Sequence, residues 1–226
     1  MKMALKILVD RNVERIARTH RTTAKDRKVT WGNADGSSAM AFDSYEMVRV
    51  RVTRPPSQNA TDEQIPYLAT VAQLARTGGL NLFTSWELNA ERMRQPGDNA
   101  GWLDVSLFDG VTIDWVDSPV IRSGIVTFAA EEETAFFQSI RHPRFETLRK
   151  RIGEAHIADI FHLWTAEVAG LDIFMTMERR FFNAVENERD KLELKVKVSN
   201  PQQICEMLKA GPTDVDALVA AKPPWQ

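Results

Sequence analysis

From residue 156 to 211 the chain switches repeatedly between a helical hydrophobic period and short apolar runs. HIADIFHLWTAEVAG is amphipathic: Ile157, Ile160, Phe161, Trp164 and Ala169 recur at three- and four-residue steps, and Gly170 ends the pattern. LDIFMT then reads as a strand, ERRFFNAVENE as a helix and LKVKV (194–198) as a strand. NPQQICEMLKAG is a helix capped by Asn200, with Pro201 in its first turn. Helix and strand alternating with short connections predict an α/β fold, a parallel sheet covered by helices.

The first half is less regular. ALKILV (4–9) is a buried strand closed by DRN, and YEMVRVRVT (45–53) a half-exposed one. WGNADGSS (31–38) is a turn or loop and PPSQNA a break. A helix starts at Thr61 or Asp62, runs through IPYLATVAQLART and stops at Gly78-Gly79. LNLF (80–83) is a strand, after which Thr84 or Ser85 caps WELNAERMR, a helix reaching Pro96-Gly97. Residues 95–128 are irregular, with strand-like VTIDW and IVTF, and EEETAFFQSI (131–140) is a helix. After Gly211 the tail is loose and ends in PPWQ.

Length and charge narrow the function classes. At 226 residues the chain fits one domain with a sizeable core. A net charge of −2 exerts no global pull on nucleic acid or anionic membrane, so a polyanion must meet a local patch. A single cysteine, Cys205, excludes an internal disulfide framework and a cysteine zinc site, and reads as a small half-buried residue. MKMALKILVDRNVER is too short in its apolar run for a signal peptide, and nothing approaches the roughly 18 apolar residues of a membrane span. The expectation is a soluble cytoplasmic protein. His142, His156 and His162 make no recognisable zinc spacing, and no dinucleotide fingerprint or phosphate-cradling glycine loop is present.

The chemistry sits in the acids. Asp10 ends the first strand; Glu91 lies on the helix after the second core strand, one turn beyond Glu87. Asp159 is near the start of the helix before LDIFMT, and Glu178 follows that strand directly. Carboxylate oxygens are hard ligands of the kind magnesium and manganese prefer. Each acid also has a plain structural reading: Asp159 and Glu178 complement helix dipoles at N-termini.

Three motifs together resemble the PIN domains, metal-dependent ribonucleases that include toxin subunits of many bacterial toxin–antitoxin pairs. ILVDRNV looks like the family's opening strand ending in Asp-x-Asn, which gives Asp10 the first-acid role and Asn12 that of its companion. SWELNAE (85–91) is similar to the second motif and carries the next acid to Glu91 rather than Glu87. ADIFHLWTAEVAGLDIFMTMERRF (158–181) matches best: an acid, a small-residue helix, glycine, a strand, Thr-x-acid and an aromatic, filled by Asp159, Gly170, Thr176, Glu178 and Phe181. Glutamate at 178 stands where the family usually has aspartate or asparagine.

The resemblance implies a three-layer sandwich with a central, mainly parallel sheet flanked by helices. It implies one domain over 1–210, with large insertions at about 15–65 and 95–154, and a C-terminal tail over 211–226. It also implies an endoribonuclease in which Asp10, Glu91 and Asp159 hold Mg²⁺ or Mn²⁺, with Glu178 bound directly or through water. RNA is the implied substrate, with an antitoxin or other protein as partner, homo-oligomerisation and no membrane.

Two basic stretches are candidates to grip phosphates: 11–30, with Arg11, Arg15, Arg18 and Arg21, and 141–151, with Arg149, Lys150 and Arg151. The alternative for both is a solvated surface. Trp31, Trp86 and Trp102 stack on bases or pack in the core. Two other readings stay open. PIN-like folds also serve as non-catalytic nucleic-acid- or protein-binding modules. The Arg-x4-His pairs Arg15/His20 and Arg151/His156 resemble the metal-independent, all-helical HEPN ribonucleases.

Overall fold

The computed structural model of the chain describes residues 4–31, 40–54, 59–94, 104–120 and 130–220. The expected loop at 32–38, the strand-like IVTF, Trp102 and the PPWQ tail lie outside them.

The centre is a parallel five-stranded sheet. LKILV forms β1 (Leu5–Val9), which pairs in parallel with β4 (Leu80–Ser85) on one side and β7 (Ile173–Met175) on the other. β6 (Ile113–Val116) extends the β4 side and β8 (Lys197–Ser199) the β7 side, giving the order β6-β4-β1-β7-β8. Side chains alternate across a strand, so neighbouring residues feed different cores. Ile7, Val9, Leu80, Leu82, Ile173 and Met175 face one cluster, and Leu8, Phe174 and Val198 the other. Burial on both faces is why these strands read as continuous apolar runs.

Helices cover both faces. α1 (Arg11–Ile16), α3 (Ile65–Arg76), α9 (Pro201–Leu208) and α10 (Val215–Ala220) contribute to the first cluster. α4 (Trp86–Arg94), α5 (Ala130–Ser139), α6 (Pro143–Ile152), α7 (Ile157–Val168) and α8 (Arg179–Leu192) contribute to the second. This layering is the expected α/β sandwich, and it overturns the all-helical alternative. Phe174, fully buried on β7 beside the central strand, is worth roughly 1.5–3 kcal/mol by burial alone. α7 ends in a Schellman turn: the Gly170 amide bonds the Glu167 carbonyl, the Leu171 amide bonds that of Ala166, and Gly170 takes φ +63°. Arg144 of α6 forks onto Glu167 of α7 at 2.8 and 2.6 Å and also donates to the Leu192 carbonyl of α8 at 2.8 Å.

A second sheet is antiparallel. β2 (Arg18–Trp31) pairs along its length with β3 (Met40–Arg51), and its root pairs with the short β5 (Val105–Ser106). The expected strand over 45–53 is therefore one arm of a longer hairpin, and the basic run 11–30 is helix then strand.

Four local expectations change. The helix placed at Thr61 or Asp62 is two, α2 (Asn59–Asp62) and then α3, because Pro66 has no amide to donate to the Asp62 carbonyl and so suits a helix's first turn but not its interior. The strand LKVKV is displaced to Lys197–Ser199. The loose tail contains α10, whose start is fixed by Asp214 Oδ1 accepting from the amides of Asp216 and Ala217. Cys205 is fully buried, not half-buried. Among the described residues no helix is long and apolar enough to cross a membrane.

Candidate active site

β1 and β7 are neighbours, yet the chain leaves them toward opposite faces. After β1 it enters α1, whose Val13 and Ile16 join the first core; after β7 it enters α8, whose Phe181 and Val185 join the second. Such divergence opens a crevice at the carboxyl ends of parallel strands, where α/β folds bind ligands. A cavity of about 440 Å³ lies there, and Asp10, Glu91, Asp159 and Glu178 all line it.

Each acid is delivered by a different element. Asp10 is the N-cap residue of α1 and Glu178 that of α8, but neither side chain makes the capping hydrogen bond its position offers. Asp159 projects from the first turn of α7, and Glu91 from the later part of α4. α4 starts where expected, with Ser85 Oγ accepting from the Leu88 amide at 3.4 Å. Glu87, one turn earlier, is buried and does not line the cavity, which decides between the two glutamates as lining residues.

Asp10 is 3 % exposed, and a small polar network holds it. Its Oδ2 accepts from Asn12 Nδ2 at 2.6 Å and from Thr176 Oγ1 at 2.6 Å. Asn12 Oδ1 accepts from the Met177 amide at 3.1 Å, and Thr176 Oγ1 accepts from the Glu178 amide at 3.1 Å. Asn12 and Thr176 thus tie the ends of β1 and β7 together across the crevice.

The electrostatics match a crowded carboxylate pocket. Burial, then the charge of Asp159, push the Asp10 carboxyl up to about 7, against the lowering effect of the Thr176 and Arg11 hydrogen bonds. Asp159 is likewise pushed up to about 7, first by burial, then by Glu178 and Glu91. The donor set of these four residues is all oxygen, of the hard kind that suits Mg²⁺ or Mn²⁺. Among the described residues, no three His, Cys, Asp or Glu side chains are gathered closely enough to hold an ion as they stand. The acids share a cavity, not a closed coordination sphere.

Cations and histidines line the same cavity. Arg11 and Arg15, two of the candidates to grip phosphates, are there; Arg11 is buried and bonds Glu14 at 3.2 Å, while Arg15 is exposed. Arg18 and Arg21 lie beyond, on β2. Arg149, Lys150 and Arg151 do not line the cavity: they sit on α6, where Arg149 pairs with Glu154 at 2.5 Å and Arg151 with Glu188 at 3.6 Å. Trp86 is 46 % exposed beside Trp115.

Sequence reasoning did not assign Arg180, His156 or His162 to the site, yet all three line it. His156 Nδ1 lies 3.8 Å from Asp159, and His162 Nε2 lies 3.9 Å from Glu91. Their spacing was the available signal, since residues three before and three after Asp159 share its side of α7. Compared with known protein families, curated proteins and solved structures, the chain matches none.

Proposed function

We propose that this chain is a metal-dependent endoribonuclease of the PIN type, hydrolysing RNA phosphodiester bonds in the crevice at the ends of β1 and β7. The observation that carries this reading is the convergence of Asp10, Glu91, Asp159 and Glu178, from four separate elements, on one cavity. Burying acids in a shared pocket is costly, and the carboxyls of Asp10 and Asp159, raised first by burial and then by neighbouring carboxylates, register that cost. Spending two N-cap carboxylates on the cavity, not on their helices, supports a ligand-binding role over a capping one.

Asp10, Glu91 and Asp159 would hold Mg²⁺ or Mn²⁺, with Glu178 directly or through water. Such an ion supplies a more acidic water and charge neutralisation at a phosphodiester. The chain's own residues do the rest. Asn12 and Thr176 fix the Asp10 carboxylate, while the exposed Arg15 and Arg180 give the rim the positive charge that a phosphate backbone requires. The experiment is cleavage of a labelled RNA with Mn²⁺ by Asp10→Asn and Asp159→Asn. Both should lose at least about a hundredfold, and undiminished metal-dependent cleavage in both ends this reading.

A non-catalytic nucleic-acid- or protein-binding module is the second reading. It is favoured by the open arrangement of the acids and by His156 and His162, whose ring nitrogens stand 3.8 and 3.9 Å from Asp159 and Glu91 in the place an ion would take. Under it, manganese leaves the thermal unfolding midpoint unchanged; a site that binds the ion only when folded raises it.

A further inference from the structure

Among the described residues, the anchors of the β2–β3 hairpin lie at its root. There the Val52 amide bonds the Thr19 carbonyl, Arg54 Nη2 bonds the Ile16 and Arg18 carbonyls, and β5 pairs with Arg18 and His20. Further out, every residue from Thr23 to Thr30 is exposed, as are Phe42, Asp43, Tyr45, Glu46 and Met47 opposite. A strand packed on a body would bury alternate residues; this ribbon shows solvent on both faces. An isolated two-stranded ribbon is marginal in water, so a partner belongs on it.

Its surface says which partner. The described residues of β2 and β3 carry seven Lys and Arg against three Asp and Glu, in a chain whose net charge is −2. The pairing places Arg21, Lys25 and Arg27 on the face of Phe42 and Val29, and Lys28, Arg49 and Arg51 on the face of Tyr45 and Met47. Phe42 is 47 % and Tyr45 70 % exposed. Cations interleaved with exposed aromatics suit phosphates and stacked bases. They suit a protein interface poorly, because lysine is depleted from interface cores. Ribbon against ribbon across a two-fold would bring together two surfaces of the same net positive charge.

We infer that the β2–β3 ribbon is a docking arm for single-stranded RNA; Arg18 at its root lines a pocket that shares Arg11 with the acidic cavity. At roughly 3.3 Å per residue, the 14 residues of β2 span roughly 45 Å, so the arm holds a long substrate far from the bond that is cut. The choice of RNA as the polynucleotide rests on the nuclease reading.

The test uses the full chain and a fluorescein-labelled 20-nucleotide RNA in EDTA, where binding is read without cleavage, so either reading can fail alone. K25S/R27S/K28S should weaken binding at least about tenfold at 100 mM salt. It should also lower the slope of log K against log salt by about 2, at close to 0.7 per lost phosphate contact. Tyr45→Ala, on the face that carries Lys28 and away from Lys25 and Arg27, should weaken binding about fivefold or more. Affinity and slope unchanged in both variants overturn the inference. So does RNA affinity that is kept while a dimer becomes monomeric, which would give the ribbon to a second copy of the chain.

Discussion

Thr176 Oγ1 lies 2.6 Å from the carboxylate of Asp10, 166 positions earlier, and 3.1 Å from the amide that precedes the side chain of Glu178. One hydroxyl therefore sets the place of two acids in the crevice, donating to one and accepting beside the other. Groups that orient metal ligands in this way typically change affinity 10–100-fold when removed. Thr176→Val should weaken manganese binding by about that factor, and Thr176→Ser should restore it, as read by metal titration of the unfolding midpoint.

The raised carboxyls make the metal-free chain sensitive to pH. Asp10 and Asp159 titrate near 7 in the folded state, against an ordinary 3.8. Between those values the folded chain holds more protons than the unfolded chain, so stability falls as pH rises. The contribution is complete below about 3.8 and is lost as pH passes through about 7. In EDTA the unfolding midpoint should drop from pH 5 to pH 8, and Asp10→Asn should be the more stable form at pH 8. A midpoint that rises over this interval contradicts the assignment.

The two glutamates of α4 should separate by phenotype. Glu91 lines the cavity, and Glu87 is buried away from it. Glu91→Gln should reduce manganese binding and RNA cleavage by at least about tenfold with little change in urea stability. Glu87→Gln should leave manganese affinity alone.

Stability of the helical layer behind the site depends on the Arg144–Glu167 fork. Glu167 is 4 % and Arg144 26 % exposed at the side chain, so the pair is only partly screened. Breaking a buried pair costs about 3–5 kcal/mol, and the exposure of Arg144 lowers that to about 2 kcal/mol for Arg144→Ala. Equilibrium urea unfolding measures it.

The sequence was most legible where a single period governs. α7, β7 and α8 could be read because helix stripe and strand run alternate cleanly there, and that stretch places Asp159 and Glu178. α10 was invisible because six residues carry too little periodicity to stand out, and only the cap at Asp214 marks it. Of the ribbon, only YEMVRVRVT reads as a strand, and a half-exposed one, because alternation normally signals one buried face; here neither face is buried in the outer half. His162 illustrates a different limit. It packs edge-on to Phe161 and also lines the cavity near Glu91, and its place in an amphipathic helix announces only the first of these.

The most direct measurement is a crystal structure grown with MnCl₂, with anomalous scattering collected at the manganese edge. A peak in the cavity, at inner-sphere distance from both Asp10 and Asp159 and with Glu91 or Glu178 drawn toward it, is the expected result. A saturated crystal with no peak there, or with manganese held by other residues, contradicts the account.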